Sequence, residues 1–136
     1  MTVTAFVDGG ARNNPGPAGW GAYIVAADGA VLAELHGALG VATNNVAQYH
    51  GLLGALEWCR QHGVTRLHVQ ADSLLLVEQM KGNYKVKNEG LKPLYGKARL
   101  LAAELGRVTY THVPREQNKD ADRLSNLGMD EAQKGA

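Results

Sequence analysis

Asp8, Asp72 and Asp122 are spaced so that each marks an end of an element: Asp8 closes an apolar N-terminal strand, Asp72 closes a later strand and Asp122 opens the last helix. Gln48 falls in the first turn of the helix between the first two. Carboxylates that converge at a sheet edge repel unless a cation lies between them. An all-oxygen set without a Cys/His cluster suits Mg²⁺, with Mn²⁺ as the alternative, better than zinc. Two such ions about 3.5–4 Å apart can activate a water and stabilise the leaving oxygen of a phosphodiester. Taken singly, each aspartate equally fits a turn or a cap, and Asp122 alone would favour the N-terminal end of its helix. Only their combination points to chemistry.

The elements that must position these residues follow from hydrophobic period and turn signals. Thr2–Asp8 alternates, with Val3, Ala5 and Val7 on one face, and reads as a strand. Gly9–Gly19, rich in Gly, Asn and Pro, reads as a turn region, followed by a strand over Trp20–Ala26. Asp28-Gly29 predicts a hairpin into a third strand, Val31–Leu39. A helix capped by Thr43 or Asn44 carries the stripe Val46, Tyr49, Leu52, Leu53 and Leu56 until Gly63. Arg66–Ala71 is a fourth strand, Ser73–Lys81 and Gly90–Leu105 are helical, and Val108–Val113 is a fifth strand. Asn118 is expected to cap a final helix running to about Ala132. The order βββαβαβα predicts an α/β fold, and parallel pairing of the first and fourth strands would bring Asp8 and Asp72 to one carboxyl edge, where open α/β sheets bind ligands.

At 136 residues the chain is read as one domain over 1–136, with 130–136 expected to fray. No run is long and apolar enough for a membrane helix and no leader is recognised at the N-terminus, so a cytoplasmic monomer without membrane contact is expected. Cys59 stands alone, excluding an internal disulfide and suiting a reducing compartment. Net charge is only +1, but residues 81–99 carry six basic side chains against one acid, a candidate phosphate footprint on an otherwise acidic domain. His36, His50, His62 and His68 have no ligand spacing.

Four motifs in order resemble type 1 ribonuclease H and span nearly the whole chain. They are the opening Phe6-Val7-Asp8-Gly9-Gly10 stretch through Gly21, Thr43-Asn44-Asn45-Val46-Ala47-Gln48-Tyr49, Gln70-Ala71-Asp72-Ser73, and Val113-Pro114-Arg115-Glu116-Gln117-Asn118 through Leu124. The resemblance implies a five-stranded mixed sheet flanked by helices and cleavage of the RNA strand of RNA/DNA hybrids. It implies that Asp8, Asp72, Asp122 and position 48 hold two Mg²⁺ ions, Asp8 between them and Asp122 on the side of the attacking water. It places Asn14, Asn44 and Asn45 against the hybrid's minor groove and Thr43 on a DNA phosphate. Many members carry a longer, tryptophan-rich basic protrusion; here Met80–Leu94 is short, with Lys85 and Lys87 left to touch phosphates. Many also use a histidine ten residues before the last aspartate. His112 has that spacing but lies in a strand-like pattern, and Arg115 is an alternative phosphate-facing cation.

The resembling family has glutamate at position 48. Glutamine keeps the shape, loses the charge, and can ligate only through its carbonyl oxygen. Two origins fit: an engineered isosteric change that holds substrate uncleaved, favoured by the otherwise intact motif, or a natural variant of low or redirected activity. The leading expectation is a hybrid-cutting nuclease impaired at one ligand. A non-catalytic hybrid-binding module and a related metal nuclease for another nucleic acid are the alternatives.

Overall fold

A computed structural model describes residues 1–135. Five strands form one mixed sheet: β1 (Thr2–Ala11), β2 (Gly16–Ala26), β3 (Val31–Ala42), β4 (Arg66–Ala71) and β5 (Arg107–His112), in the order β3-β2-β1-β4-β5. β1 pairs antiparallel with β2 and parallel with β4, and β4 pairs parallel with β5. The helices are α1 (Asn44–Gln61), α2 (Leu74–Met80), α3 (Lys92–Leu105) and α4 (Lys119–Lys134), with a 3-10 turn over Arg115–Gln117. This is the five-stranded architecture expected from the element order.

Alternation decides which face each strand buries. Val3, Ala5 and Val7 join Leu67, Val69 and Ala71 in a core closed by Tyr49, Leu52 and Leu56 of α1 and Leu101 and Leu105 of α3. On the other face α4 lies over β2, β3 and part of β1. Thr43 caps α1 by accepting from the Val46 N–H at 3.2 Å, and Gly63, at φ 68°, lets the chain turn away after the helix.

Several boundaries differ from the sequence reading: α3 starts at Lys92 instead of Gly90, β5 lies one residue earlier, and two differences are larger. Gly9–Gly19 is mostly strand: Gly9 pairs with Trp20, Gly10 with Gly19 and Ala11 with Ala18. Glycines that look like turn residues in sequence here clear space for helices packed on both faces. β3 runs three residues beyond Leu39, to Ala42. Of the stretch expected to fray, residues through Lys134 are helical, with Ala132 buried and Asp130 accepting from Arg12 at 2.7 Å; Ala136 lies outside the described residues. No helix among the described residues is long and apolar enough to cross a membrane.

Candidate active site

The parallel register of β1 and β4 ends at Val7 opposite Ala71, and the next residue on each strand is an aspartate. Asp8 and Asp72 therefore meet at the carboxyl edge of the sheet, although β1 itself continues to Ala11 in its pairing with β2. Asp122 enters from the first turn of α4. Gln48, the fifth residue of α1, enters from the start of that helix's second turn, and α1 lies tight against β1. A Cβ on Gly9 would stand 2.2 Å from the carbonyl carbon of Ala47, and one on Gly51 would stand 2.5 Å from the carbonyl oxygen of Asp8. Glycine at both positions is what lets position 48 reach Asp8.

Asp8 is 4% exposed. Its Oδ1 accepts from the Gly9 N–H at 2.8 Å and from Gln48 Nε2 at 2.9 Å. Burial, then the Asp72 charge, and last the Asp122 charge push its carboxyl up to about 7, against the lowering effect of those two hydrogen bonds. Gln48 Nε2 also donates to the Gly9 carbonyl at 2.9 Å. A carbonyl can only accept, so this bond fixes which end of the amide faces Asp8. Gln48 Oε1 is left buried without a hydrogen-bond partner.

Asn118 is a site residue that the sequence pattern disguised. It occupies the N-cap position of α4 but makes no side-chain cap bond. Its side chain, 1% exposed, instead donates to the Val7 carbonyl at 2.9 Å and to Asp72 Oδ1 at 3.2 Å. One amide thus ties β1, immediately before Asp8, to the Asp72 carboxylate. Nothing local in the sequence signals this, because both partners come from distant strands.

Arg115 stands over the open side: its Nε is 4.0 Å from Asp72 Oδ2 and its Nη2 3.8 Å from Asp122 Oδ1, with 79% of the side chain exposed. His112 ends β5, as its strand-like pattern predicts, and its Nε2 lies 3.3 Å from the Asp72 carbonyl. A second group of expected residues gathers at the start of α1. Asn14 Oδ1 accepts from the Asn44 N–H at 2.9 Å, and Asn44 Oδ1 accepts from the Ala11 N–H at 2.7 Å. Asn45 is exposed in the same turn beside the Thr43 cap. Lys85 and Lys87 are exposed on the irregular segment between α2 and α3, apart from these clusters.

Among the described residues no three acidic, imidazole or thiol side chains stand close enough to form a ready-made cation cage. The acidic set is open, with Asp122 at its rim, its side chain 38% exposed. The donor chemistry nevertheless fits a hard divalent cation. The groups offered are oxygens, one carboxylate is buried beside another, and the Gln48 carbonyl oxygen lacks a donor.

Comparison with known proteins covers the same residues. A family model described as reverse transcriptase-like matches residues 6–128. The chain is 49% identical over 137 residues to the bifunctional protein Rv2228c of Mycobacterium tuberculosis, covering 100% of this chain and 38% of that protein. It therefore spans well under half the length of that relative. The structure of the N-terminal RNase H domain of Rv2228c, solved as a fusion with maltose binding protein, superposes with a TM-score of 0.96 at 48% identity, covering 100% of this chain and 99% of that one. Ribonuclease HI of Halobacterium salinarum is 38% identical over 130 residues, covering 96% of this chain and 65% of that protein. LC11-RNase H1, solved in complex with an RNA/DNA hybrid, superposes with a TM-score of 0.91 at 40% identity, covering 96% of this chain and 99% of that one. Family model, relatives and fold agree over nearly the whole chain, and the chain belongs to the ribonuclease H family.

Proposed function

We propose that the chain has the architecture of an endoribonuclease for the RNA strand of RNA/DNA hybrids, and that Gln48 leaves it able to hold hybrid but slow to cut it. The observation that carries this reading is the buried Asp8, raised by its burial and by the charges of Asp72 and Asp122, at a sheet edge where Arg115 lies 4.0 Å from Asp72 and 3.8 Å from Asp122. Asp8, Asp72, Asp122 and the Gln48 carbonyl oxygen are the groups that would hold two Mg²⁺ or Mn²⁺ ions. Such ions, when bound, supply an activated water and stabilise the leaving oxygen.

The remaining residues bind and orient. Asn14, Asn44 and Asn45 would face the minor groove, where the 2′-hydroxyl distinguishes RNA from DNA. Thr43 would meet a backbone phosphate, and Lys85 and Lys87 would add phosphate contacts from the neighbouring segment. Asn118 holds Asp72 in place. Arg115, already drawn to Asp72 and Asp122, would serve as a phosphate-facing cation, and His112 at the end of β5 would assist proton movement or product release.

As it stands, Gln48 donates to Asp8 where a glutamate would repel it, so its carbonyl oxygen reaches a cation beside Asp8 only after the amide turns over. Changing Gln48→Glu should raise Mg²⁺-dependent hybrid cleavage by roughly 10²–10⁴-fold, the scale of one charged ligand at a metal site. A Gln48→Glu protein that cuts no faster would remove position 48 from the mechanism. The alternative, a hybrid-binding module without catalysis, draws on the hydrogen bonds that satisfy Asp8 without a cation. It predicts hybrid binding with no cleavage even in Gln48→Glu.

A further inference from the structure

The carboxyl edge is not the end of the surface that leads from it. On the face where α4 covers β2 and β3, the outward residues of β1, β4 and β5 stay open: Thr4, His68 and Thr109 form one row in register, and Phe6, Gln70 and Thr111 form the next. His68, Gln70, Thr109 and Thr111 are half-buried or exposed. These rows start immediately below Asp8 and Asp72 and descend the strands.

Two cavities lie on this face. The upper one, about 310 Å³, has Phe6 and Tyr23 as aromatic walls, with ring centroids 6.3 Å apart and planes tilted by 56°. Gln117, Lys119, Glu116, Asp120 and Asn118, the residue that also holds Asp72, complete it. One lysine against two carboxylates makes this a poor place for a phosphate, while flat apolar walls with donors and acceptors around them suit a nucleobase. The lower cavity, about 210 Å³, is lined by Thr2, Arg66, Leu67, His68, Arg107 and Thr109 and has no carboxylate. Arg66 and Arg107 are directly opposite each other on neighbouring strands. Like charges so placed are destabilising. Neither has an ion-pair partner among the described residues. Phe6 and Thr2 are four residues apart on β1, about 13 Å at a strand rise of about 3.3 Å.

We propose that this open face carries a single-stranded extension of the nucleic acid held at the carboxyl edge, with an unpaired base against Phe6 and Tyr23 and backbone phosphates against Arg66 and Arg107. Together the two cavities supply the features that single-strand sites combine: an aromatic stacking surface and positive charge without acids. The proposal rests on the nucleic-acid reading above and adds a second contact surface to it.

The test compares a blunt RNA/DNA hybrid with the same hybrid extended by about six unpaired nucleotides at each of its ends in turn, by fluorescence anisotropy without added divalent cations. One extended hybrid should bind about tenfold more tightly than the blunt one. The double variant Arg66→Ala/Arg107→Ala should abolish that gain, leave blunt affinity unchanged, and lower the salt slope of the extended hybrid by about 1.4, the value for two single-strand phosphates. A 2-aminopurine at the first unpaired position should report stacking that Tyr23→Ala removes and Tyr23→Phe retains. If blunt hybrid binds and no extension improves it, or the gain survives the arginine variant, the face is not a strand track. If blunt hybrid does not bind, the nuclease reading itself fails. A free single-stranded octamer then tests the face alone: amide shifts at His68 and Thr109 support the track, and their absence overturns it.

Discussion

A neutral amide and a buried carboxylate share one hydrogen bond at the centre of this site, and that bond only partly offsets the burial and the Asp72 charge that raise Asp8. Its folded value, about 7, lies above the ordinary 3.8. Stability from protonated Asp8 is therefore fully present below pH 3.8 and lost as pH rises through about 7. Without divalent cations, urea unfolding should require less denaturant at pH about 8.5 than at about 5.5, and Asp8→Asn should flatten that difference. A flat profile in the parent chain would mean Asp8 is not held near neutrality. Asn118 acts on the other aspartate. Asn118→Ala removes its bonds to Val7 and Asp72, so it should cost about 1–3 kcal/mol in urea unfolding and weaken Mg²⁺ binding by calorimetry. Unchanged Mg²⁺ affinity would make Asn118 a fold residue only. The aspartates stood out in sequence only through the four motifs taken together, since each alone reads as a turn or cap; Asp8 in fact lies within β1, which runs on to Ala11. Asn118 did not stand out, since an asparagine before a helix reads as a cap whatever its side chain later finds.

Periodicity carried the larger parts further. Alternation in β1 and β4, the apolar stripe of α1 and the stop at Gly63 are local signals, and the observed order follows them. What local signals could not convey is how closely α1 approaches β1. Gly9 and Gly10 look like turn residues in sequence, but they are strand residues stripped of side chains where a helix must pass. Gly9→Ala puts a methyl 2.2 Å from backbone, which no rotamer change relieves. It should destabilise the fold by at least ~2 kcal/mol and displace the start of α1, lowering hybrid affinity as well. Paired unfolding and binding measurements check this; a stable Gly9→Ala protein with full affinity would show that α1 has room to retreat. Strand order was likewise beyond sequence, because β1 finds β4 only after the α1 crossover.

Across the whole molecule charge is divided unevenly. Six of the seven charged residues between 81 and 99 are basic, and they occupy the segment from the end of α2 through much of α3. If Lys85 and Lys87 meet duplex phosphates, replacing both with Ala should reduce the salt slope of hybrid binding by about 1.8 with little change in thermal stability. An unchanged slope would assign those lysines to solvent alone. The distribution of the site along the chain has a further consequence, in time. Asp8 lies in the first strand and Asp122, with Asn118 to brace Asp72, in the last helix. During synthesis the β1–β2–β3 meander can form as soon as it emerges, because it is closed by short turns. The carboxylate set stays incomplete until residues 118–122 have left the ribosome. A nascent chain that has not yet exposed this stretch thus carries Asp8 and Asp72 without Asp122 and without the Asn118 amide that fixes Asp72.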